Sequence, residues 1–355
     1  MAMICTRRLG RTELQVSELV FGGGFVGGLL VLADDETKRE ALRRFIGAGG
    51  NWVDTAAIYA QGRSEEAIGW LLQEMSPGER PYVSTKVAVA SPTIAGIGSI
   101  KSQIEAGFTD SSTRLQMKSL TLFQLHSQIV ASTTAVGDYS AALTVDEIIG
   151  PGGVADVFDD LKARGLVQYS GITATGDTDA VLAVIQSGRF DTAQIYYNML
   201  NPSCGWDAGT APKGWEYSDQ DFSGITAACE AADMGVLVIR ALASGVLATD
   251  VQHERMTAPQ YVKDYKGDDW HARELRKAHA CFDVLSGEAL EPRAATAVRW
   301  VLGDPRVSGC LVGLADLVQL DVAIAAAQAG PLTPTAMKQL DQLQHSLFGQ
   351  KVARL

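Results

Sequence analysis

The sequence predicts an α/β fold, a (β/α)8 TIM barrel with an N-terminal β-hairpin and long loops at the C-terminal face of the barrel. Three observations predict it. Short apolar runs rich in β-branched residues alternate with longer segments of helical period, eight such pairs follow one another, and no linker rich in proline or serine divides the 355 residues. We therefore expect a single domain over residues 1–355 rather than two domains.

The strands are short buried runs that follow one another along the chain. They are expected at Leu19–Gly22, Asn51–Thr55, Tyr82–Lys86, Leu120–His126, Val167–Ile172, Thr192–Tyr197, Val236–Arg240 and Gly309–Val312. Before the first strand, the segment Thr6–Val16 contains Gly10 at a turn and predicts a short hairpin that plugs the bottom of the barrel.

Helices are predicted between the strands, and several of them end at a glycine. They are expected at Asp35–Ala48, Glu65–Glu74, Ile100–Leu115, Val154–Arg164, Asp177–Ser187, Gly224–Asp233, Asp268–Leu302 with a break at Pro292, and Leu317–Ala329. The loops that follow the strands build the functional site of such a barrel. Four of these loops are long, at Val87–Ser99, Ser127–Gly153, Asn198–Ser223 and Ala241–Gly267.

Composition and charge favour a small molecule as the partner. The net charge is −11, from 30 Lys and Arg against 41 Asp and Glu, so neither nucleic acid nor an anionic membrane is expected to bind. The N-terminus lacks the apolar core of a signal peptide, which predicts a cytoplasmic protein. A monomer or small homo-oligomer is expected. The five cysteines are never spaced as CxxC, so neither disulfides nor a metal site is expected.

The run GGGFVG at residues 22–27 matches the G-x-G-x-x-G pattern of a dinucleotide-binding loop. Its third glycine does not open a helix directly, and the acidic residue Asp54 comes later than that motif requires. We therefore interpret the run as a loop at the barrel mouth whose backbone passes close to a ligand.

Four ionisable residues lie at or just past the carboxyl ends of three neighbouring strands: Asp54, Tyr59, Lys86 and His126. A tyrosine hydroxyl exchanges its proton poorly at neutral pH, but an adjacent ammonium favours the phenolate, and Lys86 can supply that charge. Asp54 can hold Lys86 by a charge-assisted hydrogen bond, and His126 can orient a substrate oxygen. Each residue also has an ordinary structural role open to it, as a turn cap, rim residue, solvated strand end or core histidine. Together they predict a site for proton transfer.

The segment NWVDTAAIY at residues 51–59, followed by GRSE and Gly69, resembles the aldo-keto reductase superfamily. The resemblance covers about residues 7–330 and continues through STK at 84–86, LFQLH at 122–126, QIYYN at 194–198 and GCLVG at 309–313. It implies that Asp54, Tyr59, Lys86 and His126 form a catalytic tetrad. In such a tetrad Tyr59 protonates a carbonyl group that receives a hydride from a nicotinamide.

The resemblance also implies a coenzyme, NADP or NAD, and the residues that bind it. Gln194 matches the residue that binds the nicotinamide carboxamide, Thr173 stands where the family usually has serine, and Arg240 replaces an aromatic residue. The other implied positions are Gly22, Gly23, Asp54, Leu242, Ser244, Gly245, Leu247, Gly313, Ala315 and Gln319.

The choice between the two coenzymes stays open. The family typically carries a basic residue after Gly313 for the 2′-phosphate, and it more often uses NADP. Here Asp316 and Asp321 occupy that stretch without a cation, which favours a ribose hydroxyl and hence NAD. Arg240 or Arg306 could supply the missing positive charge.

The expected substrate is a carbonyl compound, an aldehyde, ketone or sugar, or the matching alcohol. Besides Tyr59 and His126, the candidates for substrate contact are the loop aromatics Phe25, Trp206 and Trp215. Two alternatives stay open: a Schiff-base barrel lyase with Lys86 as the nucleophile, and a cofactor-sensing, reductase-like regulatory subunit with slow turnover.

Overall fold

The computed structural model describes residues 2–24, 28–94, 96–132, 141–210, 220–251, 270–285 and 291–348. Its strands are β1 Thr6–Arg8, β2 Gln15–Ser17, β3 Leu19–Gly22, β4 Trp52–Asp54, β5 Tyr82–Val87, β6 Leu120–Leu125, β7 Gln128–Val130, β8 Ala142–Thr144, β9 Val167–Ala174, β10 Thr192–Tyr196, β11 Gly235–Ile239 and β12 Gly309–Gly313. Eight of them close into a parallel barrel in the order β3, β4, β5, β6, β9, β10, β11, β12. The predicted barrel is confirmed, and every predicted strand is part of it.

The helices lie around this barrel. They are α1 Leu29–Leu32, α2 Asp35–Gly47, α3 Arg63–Gln73, α4 Ile100–Leu115, α5 Val145–Ile149, α6 Val154–Ala163, α7 Thr178–Gln186, α8 Ile225–Ala231, α9 Trp270–Asp283, α10 Arg293–Leu302, α11 Leu317–Ala329 and α12 Pro334–Phe348. Local signals start several of them, since Asp34 and Ser99 accept hydrogen bonds from backbone N–H groups at the starts of α2 and α4. Pro292 precedes α10, so the predicted break in the long helical stretch is confirmed.

The sequence did not predict α1, α5 and α12. The first two have four and five residues, too few for a helical period to be visible. Helix α12 lies beyond the last strand and packs through the buried residues Ala336, Leu340 and Gln344. None of the helices described is long and apolar enough to cross a membrane.

The N-terminal hairpin closes the bottom of the barrel, as predicted. Strands β1 and β2 pair antiparallel, and the fully buried Leu9 and Val16 pack with Trp52, Leu122 and Leu237 inside the barrel. A side chain at Gly10 would overlap the backbone at the start of β11, so only glycine fits this close approach.

The barrel interior changes from apolar to polar along its axis. Side chains two residues apart in a strand share a face, so the interior residue Leu122 is followed by Gln124 on the same face. Polar residues buried at this upper level include Asp54, Ser84, Lys86, Gln124 and Gln194. The opposite faces of the strands pack against the helices and form the main apolar core. The polar groups thus collect at the C-terminal end of the barrel.

Candidate active site

Asp54 and Lys86 form a buried ion pair between neighbouring strands. Asp54 ends β4, Lys86 lies on β5, and both side chains are almost completely buried. The Lys86 ammonium donates to Asp54 Oδ2 at 2.5 Å and to the carbonyl oxygen of Thr55 at 2.8 Å. Asp54 Oδ1 accepts from the hydroxyl of Ser84 at 2.7 Å, and Ser84 also accepts from the indole of Trp52. Ser84 was not singled out by its sequence, although it belongs to the STK segment.

Tyr59 completes a hydrogen-bonded chain that starts at Asp54. It opens a short 3-10 turn after β4, and Lys86 Nζ lies 3.3 Å from its hydroxyl oxygen and 4.9 Å from the centre of its ring. His126 follows β6, and its ring meets that of Tyr59 edge-on at 5.9 Å between centroids. The structure thus brings the four predicted residues together at the carboxyl ends of β4, β5 and β6.

Burial lowers the pKa of both nitrogen bases of this site, but the neighbouring charges shift the two pKa values in opposite directions. Burial disfavours the charge on Lys86, but Asp54 and Tyr59 together outweigh it and raise the pKa of Lys86. Burial also lowers the pKa of His126 to about 3, and the charge of Lys86 adds to that shift. At neutral pH the site therefore holds one cation and a neutral imidazole.

The glycines that open the GGGFVG run serve close packing. A side chain at Gly24 would overlap the ring of Tyr59, and one at Gly23 would lie 2.9 Å from the carbonyl oxygen of Asp54. Gly22 pairs with Gly313, the last residue of β12. The backbone of this loop lies directly against the tetrad, while Phe25 and the rest of the motif lie outside the described residues.

Residues in the first turn of α3 form hydrogen bonds to the segments that carry the site. Ser64 donates to the carbonyl oxygen of Gly23 at 2.5 Å. The fully buried Glu65 accepts from Thr85 at 2.5 Å and from Arg114 at 2.6 Å. Thr85 is the neighbour of Lys86 in β5, so this network fixes the strand that carries the lysine. The SE pair of the sequence motif therefore has a positioning role that the sequence alone did not reveal.

Two residues implied to bind nicotinamide lie next to each other on neighbouring strands. Thr173 of β9 pairs with Gln194 of β10, and its buried hydroxyl has no hydrogen-bond partner in the described part of the chain. Gln194 donates to Asp54 Oδ1 at 2.6 Å, so its amide also supports the ion pair. An orphaned hydroxyl beside an amide fits a polar ligand such as a carboxamide.

The segment from Arg240 to Leu247 follows β11 and folds into a tight loop. Arg240, Ser244 and Gly245 have φ angles of 62°, 62° and 98°, and the guanidinium of Arg240 donates to the Ser244 hydroxyl at 2.9 Å. Leu242 is partly buried and Leu247 is fully buried.

The residues after Gly313 use their polar groups to start α11. Asp316 accepts from the backbone N–H of Gln319 at 2.8 Å, and the Gln319 side chain accepts from the N–H of Ala315 at 2.9 Å. Asp321 accepts from Arg44 of α2 at 2.7 Å. Arg306 instead binds Asp304 before the start of β12, at the opposite end of the barrel from the tetrad.

Of the loop aromatics predicted to contact the substrate, Trp206 is the one that lies within the described residues. The ring of Trp206 lies 4.8 Å from that of His345 in α12, and its carbonyl oxygen accepts from the backbone N–H of Gly224. Its role in substrate binding stays a prediction. Trp215 lies outside the described residues. No group of three or more His, Cys, Asp and Glu residues suited to a metal ion occurs in the described ranges.

Comparison with known proteins agrees with this geometry. The model of the aldo/keto reductase family matches residues 18–345. Human aflatoxin B1 aldehyde reductase member 4 is 24% identical over 341 residues, covering 88% of this chain and 90% of its own. An uncharacterized oxidoreductase of Bacillus subtilis is 21% identical, covering 94% of each chain.

A solved structure shares the fold. It is an aldo-keto reductase of Bacillus halodurans in its holo form, 20% identical, with a TM-score of 0.64 and 96% of each chain covered. Because the family model matches residues 18–345, which include all eight strands of the barrel, the chain belongs to the aldo/keto reductase family and is an oxidoreductase of carbonyl compounds.

Proposed function

We propose that this protein interconverts a carbonyl compound and its alcohol by hydride transfer with a nicotinamide coenzyme, and that Tyr59 is the general acid and base. One observation carries the proposal. The Tyr59 hydroxyl lies 3.3 Å from the Lys86 ammonium, which Asp54 holds at 2.5 Å in a buried site. A fixed cation beside a tyrosine hydroxyl stabilises the phenolate that forms when the proton leaves.

Residues of this chain donate and accept the proton in both directions of the reaction. In reduction, Tyr59 donates its proton to the carbonyl oxygen as that oxygen gains negative charge, and the Lys86 ammonium stabilises the phenolate left behind. In oxidation, the phenolate accepts the proton of the alcohol. The ammonium keeps its place because its three N–H groups are directed at Asp54, Thr55 and Tyr59. His126 stays neutral and orients the substrate oxygen.

A nicotinamide coenzyme, when bound, supplies or accepts the hydride at the substrate carbon. Thr173 and Gln194 would hold its carboxamide, because one has an orphaned buried hydroxyl and the other an amide at the same level of the barrel. Arg240 and Ser244, in the tight loop after β11, offer hydrogen-bond donors for its phosphates.

We further propose that the coenzyme is NAD(H). In the proposed site the adenosine end lies at the start of α11, where Asp316 and Asp321 are exposed. The cations near this point are already paired with carboxylates: Arg44 binds both Asp321 and Glu40 at 2.7 Å, and Arg43 and Arg39 bind Glu40 and Glu74. A 2′-phosphate would meet carboxylates there, whereas a ribose hydroxyl would not be repelled.

Replacing Tyr59 with phenylalanine tests the catalytic role. Tyr59→Phe removes only the hydroxyl, so we expect kcat to fall by at least about 100-fold while coenzyme affinity stays within about twofold. Steady-state rates on a panel of aldehydes, ketones and alcohols measure kcat, and a fluorescence titration with reduced coenzyme measures the coenzyme affinity. Tyr82→Phe, inside the same barrel but outside the site, is the matched control. Unchanged turnover in Tyr59→Phe would refute the assignment.

Binding of the two reduced coenzymes tests the second proposal. NADH should bind at least about tenfold more tightly than NADPH, because the 2′-phosphate adds negative charge beside two carboxylates. Asp316→Asn removes one negative charge and keeps a side chain able to cap α11. The difference in affinity between NADH and NADPH should therefore become smaller. Equal affinities in the wild type would show that the coenzyme site has another source of positive charge.

The alternative functions make different demands on the site. A Schiff-base nucleophile must lose its proton, but Lys86 is tied to Asp54 and its pKa is raised, so the geometry does not favour the lyase. A regulatory subunit would keep the tetrad and turn over slowly, so the rate on simple carbonyls separates it from the proposed enzyme.

The cytoplasmic location and the monomer or small homo-oligomer stay predictions.

A further inference from the structure

The inner wall of the barrel carries several buried polar atoms that lack a hydrogen-bond partner within the described part of the chain. They are both amide atoms of Gln124, the hydroxyls of Thr173 and Thr192, and Nδ1 of His126. Gln124 and Thr192 are completely buried. Burying such groups without hydrogen bonds opposes folding, and an amide offers donors and an acceptor at once, so the cluster points to a bound polar partner.

These atoms form one continuous patch on three neighbouring strands. Gln124 of β6 pairs with Gly171 of β9, and Gly171 pairs with Thr192 of β10. One level higher, His126 and Thr173 follow the pair Leu125 and Ile172. Because residues two apart share a face of a strand, Gln124 lies directly below His126 on the inner wall.

Gly171 lets the side chains of Thr192 and Gln124 approach its backbone closely in the middle of this patch. A Cβ atom there would overlap Oγ1 of Thr192 and would lie 3.1 Å from Oε1 of Gln124. Both oxygens are therefore close to the same point of the interior. A buried water typically makes two to four hydrogen bonds to polar groups, and the amide and hydroxyl provide them here.

We propose that Gln124 and Thr192 hold ordered water inside the barrel and that this water hydrogen-bonds to Nδ1 of His126. The imidazole is neutral, so it carries one proton, and the partner of one nitrogen determines which nitrogen that is. Water donating to the buried Nδ1 leaves the proton on Nε2, where it can donate to a substrate oxygen. Gln124 is then a positioning residue that acts through His126, an inference that rests on the proposed function.

Nuclear magnetic resonance of ¹⁵N-labelled histidine tests the proposal on the full chain. The protein has five histidines, and His126→Asn identifies the signal of His126. At pH 7 we expect a single tautomer with the proton on Nε2 in the wild type and a mixture in Gln124→Met. In the same variant kcat should fall by about tenfold, with KM changed less than about twofold, because substrate binding is kept and its orientation is lost.

Two further variants keep the test interpretable. Thr192→Val removes one hydroxyl with almost no change of shape, and it carries the same test if Gln124→Met does not fold. Ser111→Ala removes another buried hydroxyl without a partner in the described ranges, on α4 outside the barrel. This control should leave the His126 signal and kcat unchanged.

A high-resolution crystal structure of the wild type should show ordered water within hydrogen-bond distance of Gln124 and Thr192, and Gly171→Ala should displace it. A dry interior in the wild type, or the same His126 tautomer in Gln124→Met, would overturn the inference. Neither the crystal structure nor the tautomer measurement depends on turnover. A protein with this water and tautomer but no activity on any carbonyl or alcohol would instead contradict the proposed function.

Discussion

Lys86 and His126 both contact Tyr59, yet one is charged and the other neutral, because their neighbours differ. Burial disfavours the charged form of both side chains. Lys86 lies against Asp54, whose negative charge outweighs that penalty, whereas the neighbouring charge that acts on His126 is the positive charge of Lys86. The result is a fixed positive charge next to Tyr59 and an uncharged imidazole in edge-on contact with the tyrosine ring.

The neutral histidine predicts a loss of stability in acid. Its pKa is about 3 in the folded protein and near the ordinary value of 6.5 in the unfolded chain, so the unfolded state binds the proton first. Stability should therefore fall as the pH drops from about 6.5 towards 3, by up to about 2 kcal/mol at pH 5. Urea unfolding of the wild type and of His126→Gln at pH 7 and pH 5 measures it. If the free energy of unfolding changed equally between pH 7 and pH 5 in both proteins, His126 would not be the neutral buried group proposed here.

At the scale of elements, two segments hold the tyrosine in place. The residues after β3 lie flat against the ring, because Gly24 has no side chain to intervene. The start of α3 holds this loop through Ser64, whose hydroxyl also lies 2.8 Å from that of Thr55. The position of Tyr59 therefore depends on close contact between a loop and a helix that are far apart in sequence.

Gly24→Ala tests this dependence. The added methyl group would overlap the Tyr59 ring, so we expect the hydroxyl to move from Lys86 and kcat to fall by at least about tenfold. Gly78→Ala is the matched control, because no atom lies within 4 Å of a Cβ there. Thermal unfolding checks that both variants fold, and steady-state kinetics compares them. Full activity in Gly24→Ala would mean that the loop does not fix the tyrosine.

At the scale of the whole molecule, Arg7 connects the segment before the first barrel strand with the segment before the last one. Its guanidinium binds Glu18 at 2.6 Å, just before the first barrel strand. It also donates to the carbonyl oxygens of Leu302, Asp304 and Val307, which precede the last strand. The ring of strands closes between β12 and β3, so this one side chain stabilises the closure at the bottom, at the opposite end from the candidate active site.

Removing this contact should destabilise the protein without harming the site. Arg7→Met leaves the largely buried Glu18 without its partner, and we expect unfolding to become easier by about 3 kcal/mol. Arg8→Met, next along the hairpin, loses only exposed ion pairs with Glu13 and Asp233, which water screens, so its loss of stability should be much smaller than that of Arg7→Met. Urea denaturation compares the two. Equal losses would show that the closure does not depend on Arg7.

The barrel and the tetrad could both be predicted from the sequence because each depends on local patterns. Alternating buried runs and helical periods determine the strands and helices, and parallel strands of one barrel necessarily bring their carboxyl ends together. Asp54 ends a strand, Lys86 is the last residue but one of the next strand, and His126 directly follows a third, so their meeting follows from strand order. The hairpin at Gly10 was predictable for the same reason.

Other features depend on contacts that no local pattern records. The support of the site by Ser64, Glu65 and Arg114 joins α3, β5 and α4, and the orphaned atoms around Gln124 come together only through the register of β6, β9 and β10. The sequence by itself determined the fold class and which residues meet at the barrel mouth, since strand ends converge whatever the packing. Only the tertiary structure decided which groups hold them there, because hydrogen bonds and close packing between distant segments depend on distances that sequence spacing does not fix.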